Sequence, residues 1–519
     1  MSAPVTRIID RLGVPQGITK AILCFGFEQS KAFHPGGRGD PTGTEILIEV
    51  LRDKFLPDYF PVVVTERKTG RYLKDRIGCG FYIFTPALAM DPCAFWKGVQ
   101  GRGFSTLDLV AEIEAITARY TRYSLMTPQE WRRVIIERIG FWVEVMSAFE
   151  EVVYLNGNAP HVFDDLIAYR VAREFGHPTL CLYRLPIVPG VSSRLMIFDD
   201  IFRQDSPLCV PNGATPPGVG ADDLGAMMAG FAGAAPSGVS APPNLAADPD
   251  LGKRVLHGAK RVYRGTRWLF QRIVRKALRS DIPEALAVLR DYRRHATRAV
   301  PDRFVYYPLH MQPEASSQPL GGIYADQELL VRHLLEALPE GVKLVVKEHP
   351  QQFSSTFMIR ARERGFYARM AADDRIVLLH HSVPARDLLQ RCLAAVTLTG
   401  TTALEALAMG KPCFVMGASP FVRAPNALVP RDHAALCAMM RNLAEGHVAP
   451  VTTAQISAYL DWLRAHSVFG YVDPYVHTRL EGLFSQADNI AAVTTALCAA
   501  IDQVRAPRAN GPPARPDPD

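Results

Sequence analysis

Short apolar segments alternate with helical segments along most of this chain, and that alternation constrains its fold more than any other feature. The first half contains the predicted strands Ile22–Phe27, Pro61–Thr65, Phe81–Thr85, Val152–Asn156 and Thr179–Tyr183. The apolar spacing predicts helices over Thr106–Tyr120, Pro128–Glu150 and Asp164–Phe175. Strands that alternate with helices in this way predict a parallel sheet with helices on both faces.

The second half repeats the pattern after a change in composition. Its predicted strands are Arg303–Tyr307, Lys343–Lys347, Ile376–Leu379, Ala394–Leu398 and Pro412–Met416. Its predicted helices are Asp326–Leu338, Ser355–Arg364 and Thr402–Met409. Because 519 residues are too many for one hydrophobic core, the two alternating regions predict two α/β domains.

The stretch between the two regions has a different character. Residues 210–250 are rich in Gly, Ala, Pro and Ser, which predicts a flexible insertion. The segment Lys253–Arg279 carries ten Lys and Arg residues and no Asp or Glu, and it predicts a basic helix, followed by another over Pro283–Arg298. We therefore expect an N-terminal domain at 1–205, a linker with basic helices at 206–300, a C-terminal domain at 301–485, and a helix with a disordered tail at 486–519.

Composition argues against three classes of protein: disulfide-rich, zinc-stabilised and membrane-spanning. The nine cysteines are scattered without a CxxC pair, which argues against a disulfide framework or a structural zinc site. The longest early apolar run, Ala21–Phe27, is much shorter than the ~18 residues that a membrane span requires. No cationic segment and cleavage site accompany it, so we expect a cytoplasmic protein.

The segment Thr399–Ala406 directly follows a predicted strand and opens a predicted helix. Gly400 permits a sharp turn, and the first N–H groups of a helix suit an anion such as phosphate. The hydroxyls of Thr401 and Thr402 add two donors, and Glu405 could accept hydrogen bonds from ribose. An ordinary capped helix, with Thr as N-cap and Glu as capping-box partner, explains the pattern equally well.

Two further polar segments follow predicted strands. His349 and Pro350 lie just after the strand Lys343–Lys347. The segment Tyr307–Glu314 lies at the end of the strand Arg303–Tyr307. A histidine at a strand end can contact phosphate or act as an acid, although it can equally well cap a loop. Ligands of parallel sheets bind at the carboxyl ends of strands. The three segments together therefore predict one nucleotide-phosphate site.

Gln312-Pro313, His349-Pro350 and Thr399–Ala406 resemble the QP, HP and small-hydroxyl phosphate motifs of the capsule polysaccharide biosynthesis family. That family includes bacterial β-Kdo transferases and is similar in architecture to bacterial sialyltransferases. The resemblance covers residues 303–417 well and the rest of the chain loosely.

The resemblance implies a GT-B fold, in which two Rossmann-like domains face a central cleft, with a basic helical linker inserted here. It implies inverting, metal-independent transfer from a nucleotide sugar, with CMP-Kdo as the best single donor, to a glycan or glycolipid acceptor held mainly by the N-terminal domain. No other cofactor is implied. The donor site would comprise Gln312, His349, Pro350, Gly400, Thr401, Thr402 and Glu405, with Glu405 on the ribose.

An inverting transferase needs a general base for the acceptor hydroxyl. The candidates in predicted loops are Asp40, Asp164 and Asp165, and His161 could also serve. Asp164 and Asp165 are equally well explained as acidic residues that stabilise the start of a helix.

Other interpretations stay open. The basic helix 253–279 fits a solvated face, a contact with anionic lipid at the inner face of the cytoplasmic membrane or, least well, a nucleic-acid contact, because no recognisable nucleic-acid-binding module accompanies it. The acidic pairs Asp199-Asp200 and Asp373-Asp374 lack the context of a DxD metal clamp. Other functions that fit are a CDP-alcohol polyol-phosphate transferase of the teichoic-acid type, a relative of UDP-sugar 2-epimerases, and a non-catalytic assembly scaffold.

Overall fold

The chain folds into two α/β units, seen in a computed structural model. The structure describes residues 13–27, 42–65, 67–77, 81–83, 113–114, 127–161, 163–185, 193–211, 223–232, 281–312, 314–354, 359–472 and 485–506. The first unit comprises most of the chain up to Asp223 together with the part from Asp461 onward. The second comprises Leu224–Leu460 and a short earlier segment.

The strands are numbered in chain order. They are β1 (Lys20–Phe25), β2 (Tyr59–Val64), β3 (Phe81–Ile83), β4 (Glu151–Asn156), β5 (Thr179–Arg184), β6 (Arg194–Phe198), β7 (Phe304–Pro308), β8 (Lys343–Lys347), β9 (Ile376–Leu379), β10 (Ala394–Thr397), β11 (Cys413–Val415), β12 (Ala427–Leu428) and β13 (Val468–Phe469).

The helices are numbered in the same way. They are α1 (Thr42–Lys54), α2 (Arg67–Ile77), α3 (Pro128–Ser147), α4 (Phe163–Glu174), α5 (Asp223–Ala232), α6 (Asp281–His295), α7 (Gln327–Ala337), α8 (Phe366–Ala371), α9 (Ala385–Arg391), α10 (Thr402–Ala408), α11 (His433–Ala444), α12 (Thr453–Ala465) and α13 (Gln486–Arg505). No helix in the described part of the chain is both long and apolar enough to span a bilayer.

The first unit contains a seven-stranded sheet in the order β13-β6-β5-β4-β1-β2-β3. Strands β5, β4, β1, β2 and β3 run parallel, and β6 and β13 add antiparallel pairs at one edge. The strand order reverses between β1 and β4, which are adjacent in the sheet. Helix α13 packs on α1, where the Lys54 Nζ lies 2.7 Å from the Asp502 Oδ2.

The second unit contains a six-stranded sheet in the order β12-β11-β10-β7-β8-β9, and all of its strand pairs are parallel. Counted from β7, this is the 3-2-1-4-5-6 arrangement of Rossmann folds, with the order reversing between β7 and β10. One face of the sheet buries Val305 and Tyr307 of β7 against Val288 of α6 and Leu330 of α7. Both units are thus Rossmann-like.

The structure confirms the predicted fold class and most predicted strands, and it corrects several elements. Strands β6, β12 and β13 were not predicted. Within the predicted helix Ser355–Arg364, the described residues from 360 onward form turns, and the helix begins at Phe366 after Gly365, whose φ is +79°. The predicted flexible stretch 210–250 contains helix α5. The predicted basic helix 253–279 and most of Thr106–Tyr120 lie outside the described residues.

Candidate functional site

The loops that follow β7 and β10 meet where the strand order of the second sheet reverses. His310 lies beyond the end of β7, and its Nε2 accepts a hydrogen bond from the Thr399 N–H at 3.3 Å. Burial lowers the pKa of His310 to about 3, so its ring is neutral and its proton lies on Nδ1. This Nδ1 is buried and has no hydrogen-bond partner among the described residues. Ligands of open α/β sheets bind at this kind of reversal.

Gly400 allows the turn after β10 to approach that histidine. Its N–H donates to the Thr397 Oγ1 at 2.9 Å. A Cβ at this position would lie 2.9 Å from the same oxygen and 3.0 Å from the His310 Nε2. Only glycine therefore fits without a shift of the turn.

The turn continues into α10. The Thr401 hydroxyl donates to the Glu405 Oε1 at 2.7 Å, so this threonine fixes the carboxylate predicted to bind ribose. Burial raises the pKa of Glu405, while the Thr401 hydrogen bond and the charge of Lys347 lower it. The N–H groups of Thr401 and Thr402 find no acceptor among the described residues. Two donors are thus available to an anion at this turn.

A buried ion pair supports the next strand end. Glu348 and Arg362 are 1% and 2% exposed, and the guanidinium contacts both carboxylate oxygens, with Nε 2.8 Å from Oε2 and Nη2 2.9 Å from Oε1. The carboxylate also accepts the Tyr367 hydroxyl at 2.7 Å and the His349 N–H at 2.8 Å. The pair therefore fixes the backbone at the end of β8.

The same guanidinium reaches the loop after β7. Its Nη1 donates to the Gln312 Oε1 at 2.6 Å, and its Nη2 donates to the His310 carbonyl at 2.8 Å. The Gln312 Nε2 donates to the Ala325 carbonyl at 2.6 Å, so both ends of this carboxamide are engaged within the protein. Gln312 positions its loop in this structure. Arg362 joins two strand ends, and nothing in the sequence pattern indicated this role.

His349 projects from the end of β8 and is half-buried. Its Nδ1 accepts the Gln351 N–H at 3.2 Å, which leaves the proton of the neutral ring on Nε2. Burial lowers the pKa of His349, while the charge of Glu348 raises it. Pro350 begins a short 3₁₀ helix directly after it. A neutral histidine with an Nε2–H can donate a hydrogen bond to a phosphate oxygen.

The end of β9 adds two histidines that sequence reasoning missed. His380 and His381 directly follow Leu379, and Tyr292 of α6 lies beside both. The Tyr292 hydroxyl accepts the His381 N–H at 2.7 Å and lies 3.2 Å from the His381 Nδ1. Burial lowers the pKa of His381 to about 4. The paired histidines after a predicted strand were a signal that could have revealed them.

The first unit holds two of the candidate bases at its own strand-order reversal. Asn156 ends β4, and its Nδ2 lies 3.4 Å from the Asp165 Oδ2, which also accepts the His161 N–H at 3.3 Å. Burial raises the pKa of Asp165 to about 8. Asp164 lies 3.7 Å from the Arg138 Nε, and burial raises its pKa as well.

The structure therefore brings Gln312, His349, Gly400, Thr401 and Glu405 to one edge of the second sheet, with Pro350 and Thr402 beside them. Asp164 and Asp165 belong to the first unit, and Asp40 lies outside the described residues.

The acidic pairs considered for metal binding have protein partners. Asp373 pairs with Arg375 at 2.7 Å, and Asp200 pairs with Arg173 at 2.9 Å. Within the ranges that the structure describes, no group of three or more His, Cys, Asp or Glu side chains could hold a metal ion. Metal independence stays a prediction.

Comparison with known proteins supports the resemblance seen in the motifs. Residues 314–424 match the family model described as "Capsule polysaccharide biosynthesis protein". The matched region includes Glu348, His349, Arg362 and the turn at Gly400. The match confirms the resemblance to this family over that region. No curated protein matches the chain.

Several solved structures are similar to parts of the chain. The β-Kdo 2,4 transferase of Thermosulfurimonas dismutans KpsC is 16% identical, with 60% of this chain and 87% of that chain covered and a TM-score of 0.25. The β-Kdo 2,7 transferase of the same protein is 13% identical, with 70% and 98% covered and a TM-score of 0.26. The UDP-GlcNAc 2-epimerase of Methanocaldococcus jannaschii is 11% identical, with 82% and 92% covered and a TM-score of 0.21.

Proposed function

We propose that this chain is a glycosyltransferase of capsular or other surface polysaccharide biosynthesis and that its second unit binds the donor nucleotide sugar. One observation carries the proposal: Gln312, His349 and the Gly-Thr-Thr turn lie at the carboxyl edge of one parallel sheet, around the point where its strand order reverses. The family match over residues 314–424 covers the same region.

The donor site follows from the available hydrogen-bond donors. The N–H groups of Thr401 and Thr402 and the Nε2–H of His349 would donate to the donor phosphate. The carboxylate of Glu405, held by the Thr401 hydroxyl, would accept hydrogen bonds from ribose. Gly400 keeps the turn close to His310. Gln312 and Arg362 would keep the loops in place without touching the donor.

The reaction we propose is inverting transfer from CMP-Kdo. The acceptor oxygen would attack the anomeric carbon as the bond from that carbon to the phosphate oxygen breaks and CMP leaves. Donors on the phosphate stabilise the negative charge that develops on the leaving group. The acceptor proton would pass to a general base, for which the candidates are Asp165, Asp164 and Asp40.

Asp165 fits the role of base best among the two described carboxylates. Asp165 makes no ion pair with a described residue, and burial raises its pKa to about 8, so the fraction that is ionised near neutral pH could accept a proton. Asp164 is 6% exposed and lies beside the Arg138 guanidinium, which holds it in an ion pair. The acceptor itself would be a glycan or a lipid-linked glycan.

We also propose that the basic segment 253–279 keeps the enzyme at the inner face of the cytoplasmic membrane, where a lipid-linked acceptor would be presented. Each basic side chain near an anionic leaflet contributes roughly 1 kcal/mol. Co-sedimentation with anionic and neutral vesicles tests this proposal. Binding that requires anionic lipid and falls with salt supports it, whereas equal behaviour with both vesicle types contradicts it.

A transfer assay tests the proposed function. Purified protein is incubated with CMP-Kdo and a capsule-type glycolipid acceptor, and CMP release and the elongated product are both measured. His349→Ala should lower turnover by ~10²-fold or more. If a folded protein forms no product with CMP-, CDP-, UDP- or GDP-linked donors, the result would favour the non-catalytic scaffold.

A further inference from the structure

Lys347 is the last residue of β8, and it occupies an unusual place for a lysine. Its strand lies between β7 and β9, and Lys347 is paired in register with Pro308 on one side and Leu379 on the other. The residue is only 7% exposed. Its side chain makes no hydrogen bond or ion pair with any residue in the described ranges. The ammonium at its end is not fully enclosed and still reaches solvent, but a charge with so little water around it costs free energy unless a ligand or another polar group solvates it.

The groups around Lys347 do not supply a direct partner. Glu405 is the carboxylate that interacts with it electrostatically, but the two side chains are farther apart than an ion pair, and the Glu405 Oε1 is held by Thr401. Glu348, the next residue, is neutralised by Arg362. His349 and His381 also lie within electrostatic range of the ammonium.

Lys347 also differs from the other buried cation at these strand ends. Four of the five N–H groups of the Arg362 guanidinium donate to Glu348, Gln312 and the His310 carbonyl, so most of its donors are already used within the protein. The Lys347 ammonium has three N–H donors, and none of them is bonded to an acceptor in the described residues. Burial lowers the pKa of Lys347 to about 8, so the amine stays largely protonated at neutral pH.

We infer that the Lys347 ammonium binds an anionic oxygen group of the donor, a phosphate or a carboxylate, as an anchor separate from the Gly-Thr-Thr turn. This inference rests on the proposed donor site and adds a residue that the motifs did not include. A CMP-linked ulosonic acid carries both kinds of anion: the phosphodiester and the sugar carboxylate. Either would satisfy the buried cation, and Glu405 nearby would keep the ammonium charged before the ligand arrives.

The test compares Lys347→Met with a control at the other end of the same strand. Methionine replaces the unbranched apolar part of the side chain, one atom shorter, and removes the ammonium charge. Lys343→Met is the matched control, because Lys343 begins β8 and its Nζ donates to the Asp374 carbonyl at 2.9 Å, at the edge opposite the site. Lys347→Arg restores the charge if the Met variant is poorly folded, and circular dichroism checks each variant.

Isothermal titration calorimetry with cytidine, CMP and freshly prepared CMP-Kdo separates the two sources of the anion. Loss of a charge-assisted hydrogen bond should weaken binding about 10- to 100-fold. If Lys347 binds phosphate, Lys347→Met weakens CMP and CMP-Kdo alike and leaves cytidine unchanged. If it binds the carboxylate, the variant weakens CMP-Kdo alone. Lys343→Met should match the wild type throughout.

A second experiment distinguishes failure of this inference from failure of the proposed function. The protein is titrated with inorganic phosphate and with free Kdo at constant ionic strength, and binding is followed by thermal shift. Stabilisation of the wild type that Lys347→Met loses supports the anion site even if no nucleotide binds. If a folded Lys347→Met responds to all five probes as the wild type does, the inference is overturned, whereas a Lys347→Arg that binds like the wild type agrees with it.

Discussion

Removing the Arg362 guanidinium should strongly destabilise the second unit. Arg362→Met would leave the Glu348 carboxylate buried, with the Tyr367 hydroxyl and the His349 N–H as its remaining partners. Breaking a buried pair by removing one partner costs about 3–5 kcal/mol. A domain is stable by only about 5–15 kcal/mol, so the expected loss is a large fraction of the total.

Hydrogen exchange followed by mass spectrometry measures this loss within the second unit. At 1.36 kcal/mol per factor of ten, the most protected amides of β7 and β8 should exchange about 10²- to 10⁴-fold faster. Arg369→Met is the matched control, because Arg369 contacts Glu328 at 2.7 Å with its side chain 42% exposed. Exposed pairs contribute about 0.2–1 kcal/mol.

A double-mutant cycle with Glu348→Gln separates the pair from general packing. The double variant Glu348→Gln/Arg362→Met buries no charge, so it should be more stable than the sum of the two single losses predicts, with a coupling of about 0.5–3 kcal/mol. A loss in Arg362→Met no larger than that in Arg369→Met would refute the reasoning, since it would show that the carboxylate does not depend on its buried partner.

The remaining predictions concern ligand binding, pH and metal. Gly400→Ala places a Cβ 2.9 Å from the Thr397 Oγ1, so it should weaken nucleotide binding at least about 10-fold in a folded protein; unchanged affinity in a titration would show that the turn can shift freely. Replacing Thr401 and Thr402 together with Ala should cost ~1–3 kcal/mol of nucleotide affinity by calorimetry, and an unaltered dissociation constant would remove the hydroxyls from the site. The pKa of Asp165 is raised from 3.8 to about 8, so the stabilisation linked to its proton is complete below pH 3.8 and is lost as pH rises through about 8. The denaturant midpoint of the wild type should therefore fall with rising pH over this window more steeply than that of Asp165→Asn, and parallel curves would contradict the raised pKa. Transfer activity should survive EDTA, and loss of activity that Mg²⁺ or Mn²⁺ restores would indicate a metal-dependent reaction.

The sequence predicted the parallel sheets because their buried strands contain continuous apolar runs, as in Ile22–Phe25 and Val152–Leu155. Strands β12 and β13 are only two residues long, and β6 pairs antiparallel at an edge, so their sequences carry little pattern of their own. Their existence depends on tertiary pairing. Helix α13 was predicted, but its packing on α1 joins residues far apart in the chain and was not.

The residues of the candidate site also fall into those that the sequence predicted and those that it did not. Strand-end motifs revealed His349 and the Gly400 turn, because glycine, proline and hydroxyl residues have local conformational meaning. Arg362 could not be predicted, since its partners Glu348 and Gln312 are 14 and 50 positions away in sequence. Lys347 ends a predicted strand, but only its burial distinguishes it from a surface lysine. Long-range partners and burial are properties of the fold, not of a local pattern.

Hydrogen exchange of the wild type with and without CMP tests the central proposal most directly. If the second unit holds the donor, saturating CMP should slow exchange in the peptides that cover the ends of β7, β8 and β10, including His349 and Thr399–Glu405, and should do so more than UDP or GDP. If CMP does not slow exchange at these strand ends, or slows it in the first unit instead, the result would contradict the proposed donor site.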